Sequence, residues 1–329
     1  MHDTADLVAD TYALGAGPWT MTPITRGALG QIWRLSGNGS SWAIKELLFG
    51  CDEEQVDREA ALRQAAEDLG IASPRLFPNR HGAHVSQLAA SSGGSTASYV
   101  KLYDWIDGTK ADPSDPEILD WFGRAMALLH TAGEGASGAP DPWYEQCPQD
   151  TDWKKLHKEV QQAGLEWADQ LGRFIATSAT ELARWVSPSG SGDLVTSHLD
   201  LQPQNVLVRT DGPVLLDWDN AGTISAEREL AKALYVWSGG SEANTDSARR
   251  LMRAYRRAGG RAAVKGPDSF SMLFATDLNY VRVQAECAID PAVTPAQREF
   301  AGNQVVTTLN SLPDLSAIAR LTAAVEAVG

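Results

Sequence analysis

Ser197-His198-Leu199-Asp200-Leu201-Gln202-Pro203-Gln204-Asn205-Val206-Leu207-Val208 is followed, after a short turn, by Val214-Leu215-Leu216-Asp217-Trp218-Asp219. Two apolar segments bracket a polar loop, which predicts a small hairpin with His198, Asp200, Asn205 and Asp217 at its edge. That donor set suits phosphoryl transfer. One carboxylate orients or deprotonates a hydroxyl, while an amide oxygen and a second carboxylate are the hard oxygen ligands that Mg²⁺ prefers.

Upstream the pattern is strand-like. Residues 20–24, 31–35 and 41–47 read as three strands broken by Gly27-Ala28-Leu29-Gly30 and by residues 36–40, and an antiparallel meander is the simplest arrangement. The first break either brings backbone N–H groups of Gly27 and Gly30 close to a phosphate chain or is a plain hairpin turn. Alternation puts Lys45 and Ala43 on one face of the third strand and Trp42 and Ile44 on the other. Residues 52–69 then predict a helix with acids at its start and Gly70 at its stop. Glu59 lies on it, 14 positions after Lys45, as a surface acid or as the partner of that lysine. Strands near 84–88 and 98–103 complete a five-stranded sheet, and the connection around Tyr103 to Ile106, with Tyr103 and Trp105, offers backbone groups to an adenine edge.

The remainder is helical. Residues 3–14 predict a short leading helix, 116–130 a longer one ending near His130, and 153–186 a further two; 133–148 reads as a loop. His130 reads as a helix cap or core partner. After Asp219, helices are expected over 227–238, 245–259, 267–288, 291–312 and 315–328. The fold class is therefore α+β, with an N-terminal strand lobe over 1–103 and a helical lobe over 104–329.

Composition narrows the partners. The chain has 329 residues and a formal net charge of -14, with no cluster of Lys and Arg that would neutralise nucleic-acid phosphates. A negative surface favours a cationic small molecule. No run of about 18 apolar residues is present, so no membrane span is expected. Cys51, Cys147 and Cys287 form no C-x-x-C pair, and with an acidic start that lacks a secretory pattern they point to a reducing cytoplasm.

His198-x-Asp200-x4-Asn205, followed 12 residues after the Asn by Leu216-Asp217-Trp218-Asp219, together with Lys45 and Glu59, resembles the aminoglycoside phosphotransferase and choline kinase superfamily. The resemblance covers roughly residues 24–235. It implies a protein-kinase-like bilobal fold and a small-molecule kinase, with antibiotic resistance as an associated role. Carried over by position, it implies that Asp200 is the catalytic base, that Asn205 and Asp217 bind Mg²⁺, and that Lys45, positioned by Glu59, contacts the phosphates of ATP. His198 resembles the structural histidine of the motif, and Glu229 an acidic position that opens the next helix. Asp219 supports the metal or the substrate, or, as the alternate residue of a strand, points away from Asp217. The glycine-poor phosphate loop and the helix that follows almost directly after Asp219 depart from protein kinases and disfavour protein substrates.

The acceptor is expected against the helical lobe, where residues 267–288 include Asp277, Tyr280 and Glu286 as candidate contacts to ammonium groups or hydroxyls. A hydroxyl acceptor with positive charge, an aminoglycoside or other amino sugar, fits the acidic balance best. Neutral sugars, choline and amino alcohols stay open, as do a nucleotide-binding regulatory module and a metal-dependent hydrolase built on His198, Asp200, Asp217 and Asp219.

Overall fold

The computed structural model describes residues 4–28, 30–88 and 98–328. In chain order the elements begin with α1 (Ala5–Thr11), β1 (Thr20–Arg26), β2 (Gly30–Gly37), β3 (Ser40–Leu47), α2 (Glu53–Asp68), β4 (Leu76–Phe77), β5 (Ser86–Leu88), β6 (Ser98–Asp104) and β7 (Thr109–Lys110). There follow α3 (Pro116–Ala132), α4 (Pro142–Glu145), α5 (Asp150–Gln162), α6 (Ala168–Phe174), α7 (Thr180–Ala183), β8 (Leu194–Ser197), β9 (Val206–Arg209), β10 (Gly212–Leu215) and β11 (Gly222–Ser225). The chain closes with α8 (Ala226–Trp237), α9 (Thr245–Arg257), α10 (Ser271–Ile289), α11 (Pro295–Asn310) and α12 (Leu315–Glu326). They divide into two compact units, Met1–Ala111 with Gln204–Ala221, and Asp112–Pro203 with Gly222–Gly329. The expected division at 103/104 thus differs from these units, which assign the hairpin of residues 204–221 to the strand lobe.

In the first unit an antiparallel sheet runs β1-β2-β3-β6-β4, with β5 also on β6, so the expected meander holds for its first three strands. Among the described residues the sheet has six strands where five were expected, because β4 has only two residues and leaves no alternation to read. The period of two sorts the side chains. Ile44, Val100 and Leu102 join Val8, Ala9 and Tyr12 in an apolar core, while Lys45 and Lys101 stand opposite each other in the β3–β6 register and so share one face. Helix α2 starts where Asp52 accepts from the Glu54 and Gln55 amides, at 3.0 and 3.3 Å. It stops where Gly70, at φ 80°, donates to Glu67 O while Ile71 donates to Ala66 O. That bond pair is the Schellman stop, and the left-handed residue is a glycine because it carries no Cβ. The hairpin β9–β10 pairs Val206 with Leu215 and carries β7 on its other edge. The Leu215 amide donates to Ala72 O at 2.9 Å, fastening the hairpin to the segment after α2.

In the second unit β8 pairs with β11 and the rest is helical. Gly123 is required on α3 because a Cβ there would stand 2.5 Å from Leu251 O on α9. The expected loop over 133–148 contains α4, one turn capped by Asp141, too short for a helical period to show. Helix α10 buries Leu273, Phe274, Leu278 and Val281 and is preceded by a 3-10 turn over Pro267–Phe270, which the expected helix had merged with it. Helix α11 begins later than expected because Thr294 and Gln297 form a capping box ahead of the Pro295 turn. Of the expected leading helix, Asp3 lies outside the described residues.

Candidate functional site

Strand register assembles the charged part of the first unit. The Lys45 ammonium lies 2.5 Å from Asp217 Oδ1 and 2.6 Å from Asp219 Oδ2. The Lys101 ammonium lies 2.6 Å from Asp219 Oδ1 and 2.6 Å from Glu59 Oε2, and Tyr103 donates to Glu59 Oε1 at 2.7 Å. Lys101 and Glu59 are 2 % and 1 % exposed, so this is a fully buried ion pair. Burial works against the charge of Lys45, but the Asp217 and Asp219 carboxylates outweigh it and hold the ammonium above the ordinary lysine range. Burial likewise opposes the Asp219 carboxylate, and the two lysines outweigh it, holding it well below the usual carboxylate range.

One expectation about this cluster needs correction, and one of the two alternatives for Asp219 drops out. Glu59 meets Lys101 and Tyr103, while Lys45 meets Asp217 and Asp219, so the anticipated Lys45–Glu59 pair is replaced by a longer chain of contacts. Asp219 does not point away from Asp217. Residues Trp218–Asn220 form a 3-10 turn, and Asp217 itself is left-handed at φ 61°, so the alternation of a strand does not apply and both carboxylates reach one ammonium. Asp219 thereby belongs with the lysines of the strand unit. Gln55 secures the same turn, its side-chain amide donating to the carbonyls of Asp219 and Ala221 at 2.7 and 2.9 Å.

Asn205 and Asp217 stand at one end of the β9–β10 hairpin, where the Leu216 amide donates to Asn205 O at 2.8 Å. The donors are one amide and one carboxylate, both oxygen, a set suited to Mg²⁺, which normally completes its shell with water and phosphate. No group of three or more His, Cys, Asp or Glu able to hold a metal is found among the described residues. The glycine turn is closed by the Gly27 amide donating to Gly30 O at 2.8 Å. A Cβ on Gly30 would meet Lys45 Cε at 3.2 Å, so glycine here leaves room for the lysine stem. Leu29 lies outside the described residues. Tyr103 stands between Ala43 and Leu76 in the ladder and gives its hydroxyl to Glu59, which leaves Trp105 as the first residue of the connection beyond the strand. The Trp105 ring carries the Arg34 guanidinium 4.6 Å from its centre and donates its N–H to Asp107.

In the second unit the loop around Asp200 is braced from several sides. Gln202 Nε2 donates to both Asp200 oxygens, at 2.8 and 2.9 Å, and the Asp200 amide donates to His198 Nδ1 at 3.3 Å. His198 is buried. Leu199, at φ 65°, donates its amide to Glu229 Oε1 at 2.7 Å. Glu229 Oε2 is 2.8 Å from His130 Nε2, and His130 Nδ1 is 2.9 Å from the Tyr255 hydroxyl. His130 is thus a buried core partner. Burial opposes the charge of Glu229, and its bonds to His130 and the Leu199 amide outweigh it, so the carboxyl is held below its ordinary value. Trp237, stacked on Phe122 at 4.1 Å, donates its N–H to Leu201 O. The backbone is therefore held on both sides of Asp200, at Leu199 and at Leu201.

The acceptor candidates part company on α10. Asp277 and Glu286 are nine residues apart, about two and a half turns, and so project from opposite faces of the helix. Glu286 is exposed and paired with Arg282 at 2.8 Å, an ordinary i,i+4 surface bridge. Asp277 is half-buried, and no ion pair or hydrogen bond to its carboxylate is found among the described residues. Burial pushes its carboxyl up to about 7, with Lys232 pulling the other way. Tyr280 is pushed up to about 12, by burial first and then by the nearby Asp200 carboxylate, and Tyr144 is raised by burial and by Asp200 and Asp141. The tyrosines mark the surroundings of Asp200 on this unit.

Lys101, Gln55 and Gln202 were absent from the sequence expectations. A lysine between Val100 and Leu102 in a strand beside the core is the one signal that pointed to Lys101. No helix among the described residues is long and apolar enough to cross a membrane. The family model described as the phosphotransferase enzyme family matches residues 20–266. A comparison of the sequence with curated proteins gives no match. Among solved structures, a spectinomycin phosphotransferase in complex with ADP and spectinomycin superposes with a TM-score of 0.64 at 14% identity, over 98% of this chain and 97% of that one. A microcompartment-associated aminopropanol kinase gives 0.59 at 12%, over 98% of both chains. An amicoumacin kinase in complex with AMP-PNP and Ca²⁺ gives 0.54 at 14%, over 89% of both. At such identities the likeness speaks to the fold, an antiparallel strand lobe with a mainly helical remainder.

Proposed function

Because this chain belongs to the phosphotransferase enzyme family, we propose that it moves the γ-phosphoryl group of ATP to a hydroxyl of a small cationic molecule, an amino sugar of the aminoglycoside kind being preferred. The observation behind the kinase reading is the Lys45 ammonium gripped by Asp217 and Asp219. A lysine held in this way is aimed, and an aimed ammonium is what a phosphate chain needs. Lys45 neutralises charge on the nucleotide phosphates, and the backbone of the Gly27–Gly30 turn approaches them. Asn205 and Asp217 would hold Mg²⁺, which when bound shields the phosphate oxygens. Asp200 orients the acceptor hydroxyl and takes up its proton as the acceptor oxygen bonds to the γ-phosphorus. The bond from that phosphorus to the bridging oxygen breaks, and ADP leaves with the electron pair. The backbone beyond the strand, beginning at Trp105, receives the adenine.

The preference for a cationic acceptor is supported by Asp277, a half-buried carboxylate with no hydrogen bond or ion pair among the described residues, and by the net charge of -14. An ammonium placed on Asp277 would lift the burial cost that keeps its proton on. A purified-protein screen with Mg²⁺-ATP against aminoglycosides, amino alcohols, choline and neutral sugars, read by ADP release and by mass of the phosphorylated product, tests both parts. Transfer confined to neutral sugars would reject the cationic acceptor. Tight ATP binding with no transfer across the panel would favour a regulatory nucleotide-binding module.

A further inference from the structure

We propose that Lys101 is a positioning residue of the nucleotide site and that Glu59 acts on Lys45 through it, an inference that rests on the kinase reading above. The cluster is a line of alternating charge: Tyr103, Glu59, Lys101, Asp219, Lys45, Asp217. Lys45 and Lys101 face each other directly across β3 and β6, a placement that is repulsive for two cations unless an anion lies between them. Asp219 is that anion. Its Oδ1 goes to Lys101 and its Oδ2 to Lys45, both at 2.6 Å, so the carboxylate is fixed in position and also in rotation. Lys45 then stands on a support that cannot swivel, and its second contact, Asp217, sets its direction.

Stability alone does not account for Lys101. A buried ion pair is generally no better than apolar residues of the same volume, so Leu and Met at these positions would serve packing equally well. What the ion pair adds is orientation. With Glu59 engaged by Lys101 and Tyr103, both of its oxygens are taken, and its influence reaches Lys45 only by way of Lys101 and Asp219.

The test is a set of calorimetric Kd values for Mg²⁺-AMP-PNP with the full chain, alongside Tm. Lys101→Met is expected to weaken binding by about tenfold, the usual scale for removing a group that orients a ligand-contacting one. Glu59→Gln should weaken it by about fivefold alone and by less than about twofold in the K101M background, because the two act in series. Unchanged affinity in Lys101→Met, or a Glu59→Gln loss that persists undiminished in the K101M background, overturns the proposal, the latter in favour of direct action on Lys45. Should Lys101→Met fold poorly, the double variant Glu59→Met with Lys101→Met replaces the buried pair by apolar groups. It is expected to recover Tm while its Kd stays weak, and recovery of both would leave Lys101 a packing residue only. Wild-type protein that binds no Mg²⁺-AMP-PNP rejects the kinase reading itself, an outcome separate from all of these.

Discussion

Asp277→Asn isolates the carboxylate on which the proposed preference for a cationic acceptor rests. In the folded chain its carboxyl is pushed up to about 7, against about 3.9 in an unfolded chain. Between these values the folded state keeps a proton that the unfolded state has released, so stability falls as pH rises from about 4 to 7, and the penalty is complete above that. Three pKa units correspond to a ceiling of about 4 kcal/mol at about 1.36 kcal/mol each. The residue is only half-buried, so solvent screening brings the working figure down to about 2 kcal/mol. Asparagine has no proton to lose and escapes the penalty. For a chain of 329 residues, at about 2.1 cal/mol/K of unfolding entropy per residue, about 2 kcal/mol corresponds to roughly 3 °C. The Tm of Asp277→Asn minus that of wild type should therefore widen by that amount between pH 4.5 and pH 8, measured by differential scanning calorimetry. Other titrating groups cancel in the difference. A constant difference across that range would refute the burial of this carboxylate. The ionised form is also the one that receives an ammonium, so affinity for a cationic acceptor should climb with pH up to about 7 and flatten in the variant.

Asp200→Ala should lower turnover by about 10² to 10⁴, the usual loss for a positioned general base, with Mg²⁺-AMP-PNP binding retained; unchanged turnover with the true acceptor would reject Asp200 in that role. Glu229→Ala leaves the Leu199 amide and His130 without their partner in a buried site and should cost about 3 to 5 kcal/mol in urea unfolding, whereas Glu229→Gln, which can still accept from the amide, should cost much less. Because the Glu229 carboxyl is depressed, its stabilisation is present above the unfolded pKa and is lost as pH falls through the folded one, so the Ala variant and wild type should converge in acid. Gly30→Ala introduces a Cβ 3.0 Å from Glu46 O and 3.2 Å from Lys45 Cε and should weaken nucleotide binding by about fivefold or more, within the range of overpacking costs. Unaltered affinity would show that Lys45 gives way freely.

Local sequence rules reached the elements of the site further than they reached its pairings. The polar loop between apolar segments singled out Asn205 and Asp217 because spacing within one hairpin is a short-range property; His198 and Asp200, expected at the edge of the same hairpin, instead follow β8, whose partner is β11 and not β9 or β10. Lys45 was placed on a face by alternation, but its partners depended on the register of β3 against β6, and no residue in either strand declares that Lys45 stands opposite Lys101. For Asp219 two alternatives stood open, because strand alternation holds only while the backbone stays extended; Asp217 turns left-handed, a conformation that aspartate adopts more readily than most residues without its sequence announcing where. Glu229 was legible as an acid opening a helix. Its bond to the Leu199 amide 30 positions earlier, which braces the loop around Asp200, was not. Asp277 and Glu286 looked alike in the sequence, and only the nine-residue interval, read as helix rotation, separates them.

The discontinuity of the first unit has a consequence for how the chain is made. Lys45 and Asp217 are 172 positions apart, and the unit closes only when residues 204–221 have joined Met1–Ala111. At about 5 to 20 residues per second, a ribosome takes roughly 5 to 20 s to lay down the intervening stretch. During that interval Lys45 and Lys101 face each other with Glu59 as their one acid from this cluster, since Asp217 and Asp219 are still unmade. Any sheet formed before then would hold two cations opposed across neighbouring strands. A fragment cut at residue 111 lacks both carboxylates, and grafting the 204–221 hairpin onto its end would restore them.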